Sequence, residues 1–156
     1  MVPERVADYP RPPRLEASAD HVLVRVGGEV LFDGSGCQRV LETFHPPTYY
    51  LPPEGINQAL LSPAAGRSFC EWKGVAEYFD VDAGGRRVHR AVWRYPSPTQ
   101  AFAPIAGWFA LYPALMEGCW LNGEVVIPQQ GGFYGGWISS QVEGPFKGDP
   151  SHPELI

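Results

Sequence analysis

Apolar and polar residues alternate with a period of two in three separate stretches, and each stretch is broken by a turn dipeptide. HVLVRV (21–26) runs into Gly27-Gly28, and EVLFD (29–33) returns. Such alternation sends successive side chains to opposite faces, and a Gly-Gly pair supplies the positive φ values a tight hairpin needs. SFCEWKGVAEYFDV (68–81) is predicted as one long strand, followed by the turn Ala83-Gly84-Gly85 and the return RRVHRAVWRY (86–95). In that return Val88, Arg90, Val92 and Arg94 fall on one side, and His89, Ala91, Trp93 and Tyr95 on the other. CWLNGEVVIP (119–128) is a third hairpin, with Asn122-Gly123 as a type I′ turn. RVLETF (39–44) and WFALY (108–112) read as further strands, and HPPTYYLPPE (45–54) as a proline-bounded edge segment.

EGINQALLS (54–62) is the best short helix candidate, with Ile56, Leu60 and Leu61 on one face, and SPTQAFAPIAG (97–107) reads as a loop with room for one helical turn. Strand–helix–strand alternation is missing, so a doubly wound parallel sheet is disfavoured. The pattern predicts a mainly β fold: a single domain of antiparallel hairpins with one short helix, covering residues 15–148. Residues 1–14 form an extended arm, kept out of a helix by Pro10, Pro12 and Pro13, and residues 149–156 a turn-prone tail. The arm is either a flexible tail or a strap over the domain anchored by Tyr9.

Composition narrows the function classes. The 156 residues fit one domain, and the 18 glycines and 17 prolines suit many turns between short strands. A net charge of -5 argues against phosphate-backbone binding, so nucleic acid is not expected as a partner. No run approaches the roughly 18 apolar residues of a membrane span, and the first residues lack the apolar stretch of a signal peptide. Cys37, Cys70 and Cys119 are odd in number and widely spaced, which suits neither a disulfide framework nor a zinc site; a reducing, cytoplasmic setting without a bound metal is expected. GGFYGGW (131–137) is no phosphate loop, because no Lys-Ser/Thr pair or helix follows, and no cofactor motif is found. Ser139 and Ser140 lack the setting of a hydrolase nucleophile.

Three constellations carry candidate chemistry. Cys70, Glu71, Trp72 and Lys73 place a thiol, a carboxylate and an amine within four residues. On a flat strand Cys70 and Trp72 share one face, Glu71 and Lys73 the other, unless a bulge near Gly74 intervenes. Tyr50, Trp72, Trp93, Tyr95 and Trp137 are candidates to wall a pocket for a flat ring or a cation, with Lys73 or His89 as its polar group. Glu42 lies close to His45, a pairing suited to acid–base work. Catalytic candidates are therefore Lys73, His89, Glu42 and Cys70. Plainer roles stand beside these: core packing for the aromatics, a small buried hydrophobe for Cys70, solvated charges for Lys73 and His45. Two classes of partner follow: an unidentified small molecule, or a ligand or peptide recognised without catalysis, with a homodimer through exposed edge strands.

ETFHPPTYYLPPEGIN (42–57), CEWKGVAEYF (70–79), VWRYPSP (92–98), NGEVVIPQ (122–129), FYGGWISS (133–140) and GPFKGDPS (144–151) together resemble the domain of unknown function 427 family, from about residue 14 onward. The resemblance implies a β-tent-like fold. It also implies, by analogy with β-tent proteins that hold a ring in a cage of tryptophans, a pocket around Trp72 and Trp93. Zinc does not carry over, since the paired CxxC motifs are missing, and a reductase role would need Cys70 or Cys119 as a reactive thiol. A nucleotidyltransferase activity is also associated with the family. It ranks below the other readings, because no paired-carboxylate metal motif follows a Gly-Ser turn.

Overall fold

The computed structural model describes residues 2–155. The fold is mainly β, and the turn dipeptides set its hairpins. Val22–Val26 pairs with Glu29–Gly34 across Gly27-Gly28, whose φ angles are 56° and 80°. Gly118–Leu121 pairs with Glu124–Val125 across Asn122-Gly123 and also with Val22–Val26, giving a four-stranded antiparallel hairpin sheet. A second, long sheet takes Phe109–Leu111, Arg86–Arg94, Gly74–Ala83 and Leu61–Cys70 in that order, all antiparallel. Arg14–Ala17, Gln38–Leu41 and Thr48–Tyr50 form a three-stranded sheet. It is stitched to the edge of the long sheet by reciprocal hydrogen bonds: Leu51 N–H to the Phe109 carbonyl (2.7 Å) and Phe109 N–H to the Leu51 carbonyl (3.0 Å).

Period-two alternation makes the long sheet two-faced. Val81, Val92, Phe109 and Leu111 face the main core with Val24, Leu31, Phe32 and Trp137. Ala76, Trp93, Tyr95 and Ala110 face a second cluster with Val40, Tyr50, Phe102 and Ile105. The first face closes a sandwich-like interior, and the second makes one wall of the site described below.

Three local expectations differ from the structure. The strand expected over 68–81 is broken: Glu71–Lys73 turns the chain, and Cys70 pairs with Gly74, whose φ is 107°. The sequence around Lys73 is thus a hairpin tip, not a flat strand with two faces. In the return strand, Phe79 pairs with Val92 but Val81 with Val88, so two extra residues bulge out between them. Arg90 sits in the left-handed region (φ 50°), and its N–H bonds the Asp80 carboxylate at 2.8 Å. Alternation fails there, and His89 does not share a face with Trp93. The helix expected over 54–62 contracts to one 3-10 turn, Gln58–Leu60, and Leu61 already opens a strand. Prolines at 52, 53 and 63 leave too few residues between them to nucleate a helix.

The N-terminal arm is held against the body. Glu4–Arg5 pairs in parallel with Val142–Glu143, Val6 and Tyr9 are buried, and the Tyr9 hydroxyl donates to Glu4 at 2.6 Å. Arg39, only 6 % exposed, binds both Glu4 (2.9 Å) and Glu16 (2.6 Å), tying the arm to the three-stranded sheet.

Candidate functional site

Where the three-stranded sheet meets the second face of the long sheet, the rings do not close up completely. A hollow of about 190 Å³ remains. Val40, Thr48 and Tyr50 come to it from the three-stranded sheet, and Tyr78, Trp93, Tyr95 and Tyr112 from the long sheet and its continuation. Tyr78 and Trp93 are direct cross-strand partners, Trp93 packs on Tyr112 with ring centroids 4.7 Å apart, and the Trp93 indole N–H donates to the Tyr50 hydroxyl (3.4 Å). Burial pushes the phenols of Tyr50, Tyr95 and Tyr112 up, Tyr112 to about 12, so near neutrality these rings act as uncharged walls.

The roof is the glycine-rich segment between Gln130 and Trp137, which brings Phe133, Tyr134 and Gly135 over the hollow. Its glycines permit close approach: a methyl group on Gly135 would fall 2.5 Å from the edge of Trp93, and one on Gly136 2.4 Å from the Gln129 side-chain oxygen.

Besides the tyrosines, three ionisable side chains line the same hollow: Lys73, Glu42 and His45. Lys73 reaches it from the hairpin tip, which is pinned by Thr99: its N–H bonds the Lys73 carbonyl (3.1 Å) and its hydroxyl the Trp72 carbonyl (2.6 Å). The Lys73 ammonium lies 5.9 Å from the Tyr95 ring centre and 5.7 Å from that of Phe102. Glu42 is paired with Arg11 at 3.1 Å.

His45 is the most specified of the three. Phe44 before it adopts a left-handed backbone (φ 66°), a conformation bulky residues avoid, held by hydrogen bonds with Val6 and Lys147. Buried Gln129 then fixes the imidazole. The Gln129 side-chain oxygen accepts the Gly136 N–H (3.2 Å), and its NH2 group donates to the Lys147 carbonyl (2.8 Å) and to His45 Nδ1 (3.2 Å). With the amide so oriented, Nδ1 of the neutral ring is an acceptor and Nε2 carries the proton. Burial lowers the pKa of His45, against the pull of Glu42, so the neutral ring is favoured.

The sequence-derived set separates cleanly. Tyr50, Lys73, Trp93, Tyr95 and Glu42 meet at the hollow. Trp72 and Cys70 pack behind the same aromatic cluster without lining it. Trp137 belongs to the main core, 1 % exposed, 5.0 Å from the Tyr49 ring. His89 points away, its side chain 76 % exposed near Asp80. Tyr78, Tyr112 and Tyr134, aromatics in or beside strands that the sequence leaves open as core or pocket without singling them out as walls, also line the hollow, and sequence reasoning missed Gln129. Tyr78 is brought opposite Trp93 by the two-residue bulge at Arg90, and Gln129 is brought in only by the fold. Among the described residues, no group of three or more His, Cys, Asp or Glu is placed to hold a metal ion, and no helix is long and apolar enough to cross a membrane.

Comparison with curated proteins gives no match. Comparison with protein families matches residues 14–122 to a domain of unknown function, DUF427; the match takes in Glu42, His45, Tyr50, Lys73, Trp93 and Tyr95 and stops before Gln129 and the roof. With most of its length matched, and in line with the motifs spread along it, the chain belongs to the DUF427 family.

Proposed function

We propose that the hollow binds a small planar molecule, one ring in size, with hydrogen-bonding atoms at its edge. The observation that carries this reading is the convergence of Lys73, Glu42 and His45 on a space otherwise walled by tyrosine and tryptophan rings. Aromatic walls favour a flat apolar body, and a few convergent polar groups fix its orientation. A space of about 190 Å³ suits a single ring, since an apolar cavity of roughly 150 Å³ takes up benzene. Of the flat ring and the cation considered from sequence, the Lys73 ammonium disfavours the cation by like-charge repulsion. His45 offers a proton at Nε2 to the ligand, and general acid–base chemistry is the catalytic role open to it.

The test is a melting-point screen of the protein with phenol, indole and benzamide, alongside Lys73→Ala. A ring bound at a hundred times its Kd stabilises the fold by about 2.7 kcal/mol. The wild-type melting point should rise by several degrees and that of Lys73→Ala should not, with both proteins folded when free. Equal shifts in both proteins would count decisively against Lys73 as a ligand contact.

A second reading has an observation of its own. The strand Leu61–Cys70 is a sheet edge, and Phe69 stands 74 % exposed on it opposite exposed Val75. Such an edge suits strand addition, by a peptide or a second copy of the chain, without catalysis. Concentration-dependent mass by light scattering, lost in Phe69→Lys, is the outcome this reading requires.

A further inference from the structure

A second hollow, of about 370 Å³, adjoins the first. The two share Tyr78, Tyr112, Phe133 and Tyr134 as walls, so they are neighbouring lobes beneath one roof. The second lobe adds Ala114, Leu115, Gly131 and Gly132, and a single charged side chain, Arg90.

Three features set Arg90 apart. First, its backbone is left-handed, a strained state for a non-glycine residue, enforced by the N–H bond to Asp80. Phe44, beside His45, is the other bulky residue in this state; the third non-glycine case, Asn122, belongs to an ordinary hairpin turn. Both strained positions thus flank the cleft, one at each lobe. Second, the guanidinium is parked face-on over Tyr78, 4.0 Å from the ring centre, and spends one Nη1 donor on the Ala65 carbonyl. Its remaining N–H donors are left for another acceptor. Third, most arginines here are ion-paired, but the two cations lining the lobes are not; Arg86 and Lys147, outside both lobes, also have no carboxylate partner among the described residues. Arg39 is matched by Glu4 and Glu16, Arg94 by Glu77, Arg87 by Asp82, and the cleft's own Glu42 by Arg11. Among the described residues the side-chain charges of Lys73 and Arg90 have no carboxylate within ion-pair distance, and they line the two lobes. In a chain of net charge -5 the cleft is therefore a local positive site.

Resting on the ring-binding reading above, we infer that the ligand is an anion: a planar ring seated in the first lobe, with a short arm carrying an oxyanion, carboxylate or phosphate, that Arg90 binds in the second. A planar guanidinium with free donors matches either group through two parallel hydrogen bonds. Tyr78 forms the shared wall along which the arm passes, and its contact with Arg90 holds the guanidinium at the lobe.

The experiment uses the full chain and a graded series of probes: benzoate, phenylacetate, 3-phenylpropionate and 4-phenylbutyrate, the primary amide of each, and phenyl phosphate. Affinities are read by ligand-observed NMR at low and at physiological salt. The longer-armed carboxylates should outbind their amides by about tenfold at low salt, the lower end for a charge-assisted bond because Arg90 is exposed, and less at higher salt. Phenyl phosphate against benzoate tells which oxyanion is preferred. Arg90→Gln should erase the carboxylate-over-amide preference, and Arg90→Lys should retain part of it. Arg90→Gly relaxes the left-handed backbone, so its melting point should stay within a few degrees of wild type while the preference disappears; this separates lost binding from lost folding.

Equal binding of acids and amides overturns the anion inference and leaves the ring reading standing. A preference abolished by Lys73→Gln but intact in Arg90→Gln also overturns it, since the charge would then lie in the first lobe. Failure of every probe, charged and neutral, sinks the ring reading and this inference together.

Discussion

Adding one methyl group to Gly136 is the sharpest test of how the roof is built. The new carbon would lie 2.4 Å from the Gln129 side-chain oxygen, 2.5 Å from Pro46 Cγ and 2.9 Å from the Pro46 carbonyl oxygen. Gly136 does not have a positive φ, so the expected penalty is steric. Overpacking of this kind costs about 1–3 kcal/mol. The collision also displaces Gln129, which is 4 % exposed and accepts the Gly136 N–H, and a buried amide left unsatisfied costs about 1–3 kcal/mol more. These contributions overlap, so we expect Gly136→Ala to lose about 2–4 kcal/mol. For a chain of this size that is a fall of roughly 5–15 °C in melting point. Gly132→Ala, four residues earlier in the same segment, is the matched control: a methyl there meets nothing within 4 Å, and the change should stay within about 0.5 kcal/mol of wild type. Urea unfolding of both variants, followed by tryptophan fluorescence, gives the comparison. Equal stabilities would refute the packing of Gly136 against Gln129 and, with it, the orientation assigned to His45.

Other predictions follow from the charges and thiols. Arg39→Met should cost about 2–3 kcal/mol, because the freed Glu4 and Glu16 are partly exposed and rehydrate; the double change Glu4→Gln, Glu16→Gln strands a buried cation and should cost more, about 3–5 kcal/mol, in the same urea assay. The hydrogen bond from Arg39 holds the Glu4 carboxyl below its usual value of 4.5. Its contribution is complete above that pH and is lost as pH falls through the folded value, so the wild-type stability curve should drop more steeply below about pH 4.5 than that of Arg39→Met. Burial likewise lowers His45, so its neutral form contributes stability above pH 6.5 that is lost on acidification; His45→Gln should flatten the stability curve between about pH 7 and 5. Burial pushes the Cys37 and Cys119 thiols up to about 12, so iodoacetamide at pH 8 should add one adduct to the native protein, at half-buried Cys70, and three in denaturant, as read by mass spectrometry.

Much of the fold was legible because glycine and asparagine announce their backbone conformation. Gly27-Gly28, Gly84-Gly85 and Asn122-Gly123 all adopt the positive φ angles a primed turn demands, and alternation then sets the faces of the strands between them. The tip at Glu71–Lys73 was hidden because its left-handed residue, Gly74, sits within a stretch of apolar and charged residues, Phe69 to Phe79, that reads as continuous strand. The bulge at Arg90 was hidden more deeply, since an arginine gives no hint of positive φ and a side-chain bond from Asp80, ten residues away, enforces it. That bulge removed His89 from the expected set. Lys73 reaches the hollow from a turn that alternation does not describe, whereas Tyr50 and Trp93 were recoverable because they sit on strands, and Tyr95 because it directly follows one. Trp137 was not: local pattern cannot say which of two aromatic clusters a ring joins, and only the pairing of Trp137–Ile138 with Ile127–Pro128 directs it to the main core.

The parallel pairing of Glu4–Arg5 with Val142–Glu143 also bears on the order of assembly. A ribosome releases residue 4 long before residue 142, so the first strand must wait for well over a hundred further residues before its partner exists. Translation delivers the hairpin of Val22–Val26 with Glu29–Gly34 and the neighbouring strands Leu61–Cys70, Gly74–Ala83 and Arg86–Arg94 as local units, while Gly118–Leu121, which closes the first sheet, and the roof come late. Until the roof segment follows, the aromatic walls contributed by Tyr50, Tyr78, Trp93 and Tyr112 lack the cover that Phe133 and Tyr134 give them.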